Sequence, residues 1–543
     1  LTVKGHLLKS ASVIALVTVI SRICGYLRDQ RVALLLGTSP AADSLVLVFG
    51  IPNLIRRLSG EGALGAAFIP VFTGYLRDKP RASAWSFAQK VFWDMAAVLG
   101  VLAVLGVVFA RQIIHFFTIF SHDSAQWDLA VFLGRIIIPA IFFVALAGIA
   151  AAMLNSFQVF ALPAATPIFF NLVLILFSLG AVYRPVMEMA PARFQTPAVA
   201  IACAILLGGI IQFAVQIPAL ARRGMQFHPE VSFSDPGVQK VARLMGPAVL
   251  GVGVYQLNFF VDKIFSTSSR MPTGSVMSLY VAEHVTQLVM GICAVAMSTV
   301  LLPTLSHQAA AKDFVEMKRT FGFSLRIVSF IAIPAAVGLI LLRQPIVQVL
   351  FQHGKFVAES TALTARALFY YALGLPAFAA IKLITPMYYS MHDTMTPAKV
   401  GACALALNIL FNSLFLVFFL KYFSNGSPAL ASSLAAYFNF VLLFGIFRKR
   451  HGRLGAMGLA ASLSKMGACA GAMAVVCYGA LRFTHFSGVR DFLGQAAILA
   501  GIIAVSSGIY FGLAWLLRCE ELSEFFLLLR RAEPVLPVAA IDV

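Results

Sequence analysis

Ser21-Arg22-Ile23-Cys24-Gly25-Tyr26-Leu27-Arg28-Asp29 sets two arginines and an aspartate inside an apolar run near the start of the chain. Pro52-Asn53-Leu54-Ile55-Arg56-Arg57-Leu58-Ser59-Gly60-Glu61 does the same in the next apolar run. A guanidinium at the centre of a bilayer costs about 2.5–3.5 kcal/mol on insertion scales, and in proteins it keeps its proton. Arginines inside membrane-length segments therefore face water, a protein partner or a ligand. Several together make a site for an anion.

The rest of the chain supports a membrane setting. Of 543 residues, 60% are hydrophobic and 12% charged, about half the charge of an ordinary soluble domain. Apolar runs of spanning length recur from end to end. The expected fold is an all-α polytopic membrane protein with about fourteen transmembrane helices. They are read at 8–36, 41–75, 84–110, 126–155, 160–183, 196–221, 238–266, 276–306, 322–342, 360–391, 395–421, 428–448, 456–481 and 492–518. The first segment is too long for a signal peptide and reads as a retained helix.

The net charge of +19 comes from 41 Lys and Arg against 22 Asp and Glu. These basic residues sit in short connections, as in membrane topology and not as in nucleic-acid binding. The richer connections hold Lys4 and Lys9; Arg77, Lys79 and Arg81; Arg222 and Arg223; Lys312, Lys318 and Arg319; and Arg448 to Arg453. Those face the cytoplasm, which puts both termini inside. The seven cysteines form no CxxC and suggest neither a disulfide framework nor a zinc site. No nucleophile–base pair, metal motif or phosphate loop points to an enzyme.

A weak repeat divides the chain. Pro139 and Pro376 stand in similar contexts, as do Asn171 and Asn408, and each pair is 237 positions apart. Six helices per half make the halves parallel repeats around an axis along the membrane normal. The expected domains are a six-helix lobe at 1–235, a second at 236–450, two added helices at 451–520 and a cytoplasmic tail at 521–543.

On an ideal helix Arg22 and Asp29 share a face, and Arg28 lies about 120° round from Arg22. Arg57 and Glu61 are spaced to pair, and Pro52 should kink the second segment ahead of them. The surplus cations are then Arg22, Arg28 and Arg56. Snorkelling to an interface is an alternative for Arg56 and Arg57. It is poor for Arg22, roughly 21 Å along the helix from its start. Planar guanidinium forks match phosphate oxygens, so a phosphate-bearing substrate fits best.

Ser21-Arg22, Gly25, Arg28-Asp29, Asp43, Pro52-Asn53, Arg56-Arg57, Glu61-Gly62-Ala63 and Ala67-Phe68-Ile69-Pro70 together resemble the MurJ/MviN family of lipid II flippases, within the MOP exporter superfamily. Gly246-Pro247-Ala248 and Leu301-Leu302-Pro303-Thr304-Leu305-Ser306 extend the resemblance. It implies two six-helix lobes around a cationic cavity and two further helices forming a groove for a lipid tail. It implies alternating access. The implied substrate is lipid II, the undecaprenyl-diphosphate-linked disaccharide pentapeptide of peptidoglycan synthesis. This would move from the cytoplasmic to the periplasmic leaflet of the bacterial inner membrane, through a monomer surrounded by membrane lipids. By motif match the implied contacts are Arg22, Arg28, Asp29 and Arg56, then Asp43 and Glu61, with Arg57 beside them. Where the family carries an arginine in its eighth helix, this chain reads Val281-Ala282-Glu283-His284. His284 is either a pH-dependent cation or a packed neutral side chain, with Lys263 as a compensating charge. Some members bind sodium. Asp262, Asn408 and Asn412 are the matching oxygen-bearing residues, unless the asparagines only pack helices. The drive would be sodium or the membrane potential, with no organic cofactor. A related exporter of another polyprenyl-diphosphate oligosaccharide or of drugs, or an anion channel, is the alternative.

Overall fold

The structure is a computed structural model and describes residues 3–58, 64–121, 124–291, 296–452, 456–484, 486 and 491–524. Every regular element among them is helical. In chain order these are α1 (Val3–Leu36), α2 (Pro40–Leu58), α3 (Leu64–Asp78), α4 (Arg81–Val108), α5 (Ala110–Phe117), α6 (Ser124–Ile137), α7 (Ala140–Ser156), α8 (Ala161–Phe177), α9 (Gly180–Glu188), α10 (Pro197–Ala214), α11 (Ile217–Ala221), α12 (Pro236–Ser266), α13 (Ser275–Met290), α14 (Ala296–Ala310), α15 (Phe314–Phe351), α16 (Ala358–Ser390), α17 (Met395–Leu414), α18 (Leu420–Phe423), α19 (Ser427–His451), α20 (Ala456–Phe483) and α21 (Phe492–Leu516).

The fourteen expected segments fall on these helices. Among the described residues, eight spans are long and apolar enough to cross a bilayer, and α8 with α9, bent by 75°, can be counted as a ninth. Met395–His451 counts once there, although it holds two expected segments. Its break lies at Ser424, whose φ is +49°. Several ends follow from local chemistry. Asp235 accepts from Gly237 N at 2.8 Å, with Pro236 at the first helical position of α12. Thr196 and Asp491 cap α10 and α21 in the same way. Such caps satisfy amide groups that the first helical turn leaves unpaired.

Helix α2 includes Pro52 and runs to Leu58. One expected boundary changes. Helix α15 runs well past 322–342 at both ends, to 38 residues, or about 57 Å. Its extra C-terminal turns begin at Arg343, which lies over the Phe369 ring.

The chain forms two compact units. One is Leu1–Val281 with Phe351–Thr364 and Leu405–Ala431; the other is Ala282–Leu350 with Ala365–Ala404 and Ser432–Val543. The first has an aromatic core in which Phe68, Phe72, Trp85, Phe87 and Phe157 pack ring on ring. Beside it α7 meets α10 through small residues. A Cβ on Gly209 would stand 3.1 Å from Val144 Cγ2, which shows how closely the backbones approach. The second unit is centred on Phe330, Met466, Cys469, Met473 and Tyr510. The Tyr510 hydroxyl donates to the Phe330 carbonyl at 2.8 Å, so its polar end is satisfied inside apolar surroundings.

Candidate functional site

Helix α1 lies along α8 in the first unit, and the contact is made where α1 is smallest. A Cβ on Gly25 would be 3.5 Å from Asn171 Nδ2. With no side chain there, Asn171 reaches across and donates to the Ser21 carbonyl at 3.3 Å. Its oxygen is then free to accept from Arg28 Nη1 at 3.0 Å. Asn171 is buried, so this amide has few ways to turn.

Arg28 does not stand alone. Its Nε and Nη2 both donate to Asp29 Oδ1, at 2.9 and 2.7 Å. The same oxygen accepts from the Tyr280 hydroxyl of α13 at 3.0 Å. Asp29 and Tyr280 are both buried. The side chain of Arg28 keeps 14% of its surface exposed. A guanidinium has five N–H donors. Three are engaged with Asp29 and Asn171, and the Tyr280 hydroxyl also lies against the guanidinium.

The expectation that Arg28 is a surplus cation thus changes: Asp29 shares a helix face with Arg22 but pairs with the adjacent Arg28. Sharing a helix face placed Arg22 two turns away, whereas adjacent Arg28 can fold back along the backbone. The charge balance survives. One carboxylate takes one arginine, and Arg22 is left over. It is exposed and has no hydrogen bond or ion pair among the described residues.

The other expected contacts separate. Arg56 and Arg57 lie in the last turn of α2, but their side chains, and Glu61 entirely, fall outside the described residues. Asp43 is buried and spends both oxygens on the start of α13, accepting from Gly274 N and Met277 N at 2.8 Å each. That is a cap supplied from a distant helix, a structural role that the sequence reading did not give Asp43. Lys263 is buried on α12, with its ammonium 5.5 Å from the centre of the Tyr280 ring. It therefore joins the Asp29 cluster through the tyrosine. His284 is half-buried on α13, one turn beyond Tyr280.

Asp262, Asn408 and Asn412 do come together, all fully or nearly fully buried. Both amides donate to Asp262 Oδ1 at 3.1 Å. Asn412 Oδ1 is buried with no hydrogen-bond partner. Among the described residues no group of three or more His, Cys, Asp or Glu side chains is placed to hold a metal.

Sequence reasoning missed three participants. Arg31 donates to the hydroxyl and carbonyl of Ser178 at the C-terminal cap of α8. A cation there meets unpaired carbonyls and the negative end of the helix dipole. Its place one turn after Arg28 was the available signal. Asn171 was marked only by its repeat relation to Asn408, and Tyr280 carries no signal beyond being a polar residue in an apolar helix.

The model of the family described as lipid II flippase MurJ matches residues 32–495. A probable lipid II flippase MurJ of Vibrio cholerae is 32% identical over 451 residues, covering 82% of this chain and 83% of its own length. One of Bdellovibrio bacteriovorus is 31% identical and covers 96% of each. A solved structure of a lipid II flippase MurJ in an inward closed conformation is 25% identical, with a TM-score of 0.73, over 92% of this chain and 98% of that one. An inward-facing MATE-family multidrug transporter of the MOP superfamily is 12% identical at a TM-score of 0.64 and shares the fold alone.

Proposed function

The chain belongs to the lipid II flippase MurJ family, and on that premise we propose that Arg28 and Arg22 hold the diphosphate of lipid II while it crosses the membrane. The protein is a multi-pass transporter and not an enzyme. The observation that carries the site is Arg28. Its guanidinium is fixed in place by Asp29 and Asn171 and keeps 14% of its side-chain surface open. Arg22 supplies the uncompensated charge, and Arg56 stands as a third contact on sequence grounds.

The lipid tail has a candidate seat in the second unit. A cavity of about 340 Å³ lies between α15, α20 and α21, lined by Phe330, Pro334, Gly338, Met473, Ile503 and Phe511 among others. An isoprenoid chain would enter such a space because burying apolar surface is favourable at about 25 cal/mol per Å².

Movement requires the path to open on one side at a time. In the first unit, Lys355 N donates to the Leu34 carbonyl at 2.9 Å. Thr38 and Ser360 share a hydroxyl hydrogen bond at 2.8 Å, and Asp43 caps α13 nearby in sequence. With both termini cytoplasmic, these contacts lie at the periplasmic end. They would form a seal that breaks when the head group leaves.

The buried Asp262 cluster fits a hard cation. Rotating each amide by 180° exchanges nitrogen for oxygen with no change of shape. The two nitrogen contacts to Asp262 Oδ1 then become oxygen contacts, which adds two amide oxygens to the carboxylate, the kind of ligand such ions require. Sodium there, or the membrane potential at about 2.3 kcal/mol per charge per 100 mV, would reset the empty carrier. The protein works as a monomer in the bacterial inner membrane.

An exporter of cationic drugs would need free acidic groups in its binding site. Asp29 accepts three hydrogen bonds on one oxygen, which argues against that role. Full-length protein in proteoliposomes containing labelled lipid II tests the site. Arg28→Ala should abolish translocation with normal insertion, and unchanged translocation would reject the clamp.

A further inference from the structure

We propose that Tyr280 is a positioning residue for the diphosphate grip, acting on Arg28 through Asp29. This rests on the reading that Arg28 contacts the substrate. Asp29 Oδ1 accepts from Arg28 Nε, from Arg28 Nη2 and from the Tyr280 hydroxyl, at 2.9, 2.7 and 3.0 Å. The first two donors belong to the adjacent residue on α1. The third comes from α13, 251 positions away in the sequence. Tyr280 is therefore the contact that ties the carboxylate, and with it the guanidinium, to a second helix.

The tie has an electrostatic effect as well. A carboxylate beside a phosphate-binding arginine competes with the incoming anion for the same donors and repels it. A phenol O–H on that carboxylate draws charge from it and loosens its hold on Arg28. The ammonium of Lys263, over the Tyr280 ring, makes the phenol a better donor. Phenylalanine at 280 would keep the packing and lose the donor. Asp29 would then bind Arg28 more tightly and face the diphosphate with its full charge.

The experiment is a double-mutant cycle on the full-length protein in proteoliposomes. Lipid II affinity is measured for Tyr280→Phe, Asp29→Asn, the double variant and Arg28→Ala, with melting temperature followed in parallel. Tyr280→Phe should weaken affinity about tenfold, the scale of a hydrogen bond to a charged group. In the Asp29→Asn background it should change affinity less than twofold, because no carboxylate remains to be moderated. Equal losses in both backgrounds, or no loss in either, would overturn the proposal. Should Tyr280→Phe fail to insert, Tyr280→Trp restores a donor; affinity within threefold of wild type supports the proposal, and a loss as large as that of Tyr280→Leu overturns it. Arg28→Ala separates the two claims. If it leaves affinity unchanged, the grip itself is misplaced. If it abolishes binding while Tyr280→Phe is silent, only the role of the tyrosine fails.

Discussion

Asn171 and Asn408 stand 237 positions apart and turn opposite ends of the same amide to opposite charges. Asn171 offers its oxygen to Arg28 Nη1 at 3.0 Å. Asn408 offers its nitrogen to Asp262 Oδ1 at 3.1 Å. Their neighbours match as well, since Gly25 and Asp262 have the same separation. Where the first copy has an empty glycine, the second has a carboxylate. A duplicated helix pair has thereby become one place suited to anions and another suited to cations.

That relation predicts the effect of Gly25→Asp. The Cβ would make ordinary contact with Asn171 at 3.5 Å, so the side chain fits. Its carboxylate would lie beside Arg28 and compete for its donors. Translocation of labelled lipid II should fall at least tenfold while membrane insertion stays normal. Activity near the wild-type level would mean that Arg28 is not the phosphate contact.

Asn408→Ala removes a donor from a carboxylate with no exposed surface. Leaving a buried charged group short of a partner costs roughly 1–3 kcal/mol, so the melting temperature should fall by several degrees. If Asp262 holds sodium, any stabilisation by added sodium chloride over choline chloride should also disappear.

Asp43→Ala leaves Gly274 N and Met277 N without their acceptors. Loss of such a cap costs about 0.5–2 kcal/mol. The seal near Thr38 and Ser360 should open more often. A cysteine placed at Ser360 should then react faster with an impermeant maleimide in whole cells, and an unaltered rate would count against the seal.

Asp393, in the turn between α16 and α17, gives a pH test. Burial opposes its charge, yet the Thr396 hydroxyl and N–H and the Arg450 guanidinium outweigh it and hold the carboxyl below the usual range. A lowered folded value means that the stabilisation is present above the unfolded pKa of about 3.9 and is lost as pH falls through the folded value. Melting temperature should therefore drop on acidification below about pH 4, and Asp393→Asn should flatten that part of the curve. Arg450 is half exposed, so the effect should be under about 1 kcal/mol.

Gly338→Leu would project a side chain into the apolar cavity of the second unit, where the nearest atom to a new Cβ is Met473 Cε at 4.0 Å. Protein yield should hold and lipid II affinity should fall. Affinity for a water-soluble short-chain analogue should not change.

The sequence carried the helices because apolar length and proline or glycine breaks are local properties. It carried the arginine surplus because charge balance is arithmetic. It did not carry the identity of the pairs. Helical periodicity put Arg22 and Asp29 on one face, but a long side chain can reach its neighbour, and Arg28 does. The capping role of Asp43 was missed because caps are ordinarily read two or three residues along the same chain, and this one acts on a helix more than 230 positions away. The C-terminal end of α15 was lost because Arg343 looks like a boundary until Phe369 is seen beside it.

Asp262 and Lys263 are consecutive on α12, and each belongs to a different cluster. Successive residues on a helix point about 100° apart, so a rotation of α12 moves Asp262 relative to Asn408 and Asn412 and Lys263 relative to Tyr280 at the same time. The two clusters share one rigid axle, and neither can be retuned by evolution or by mutation without shifting the other.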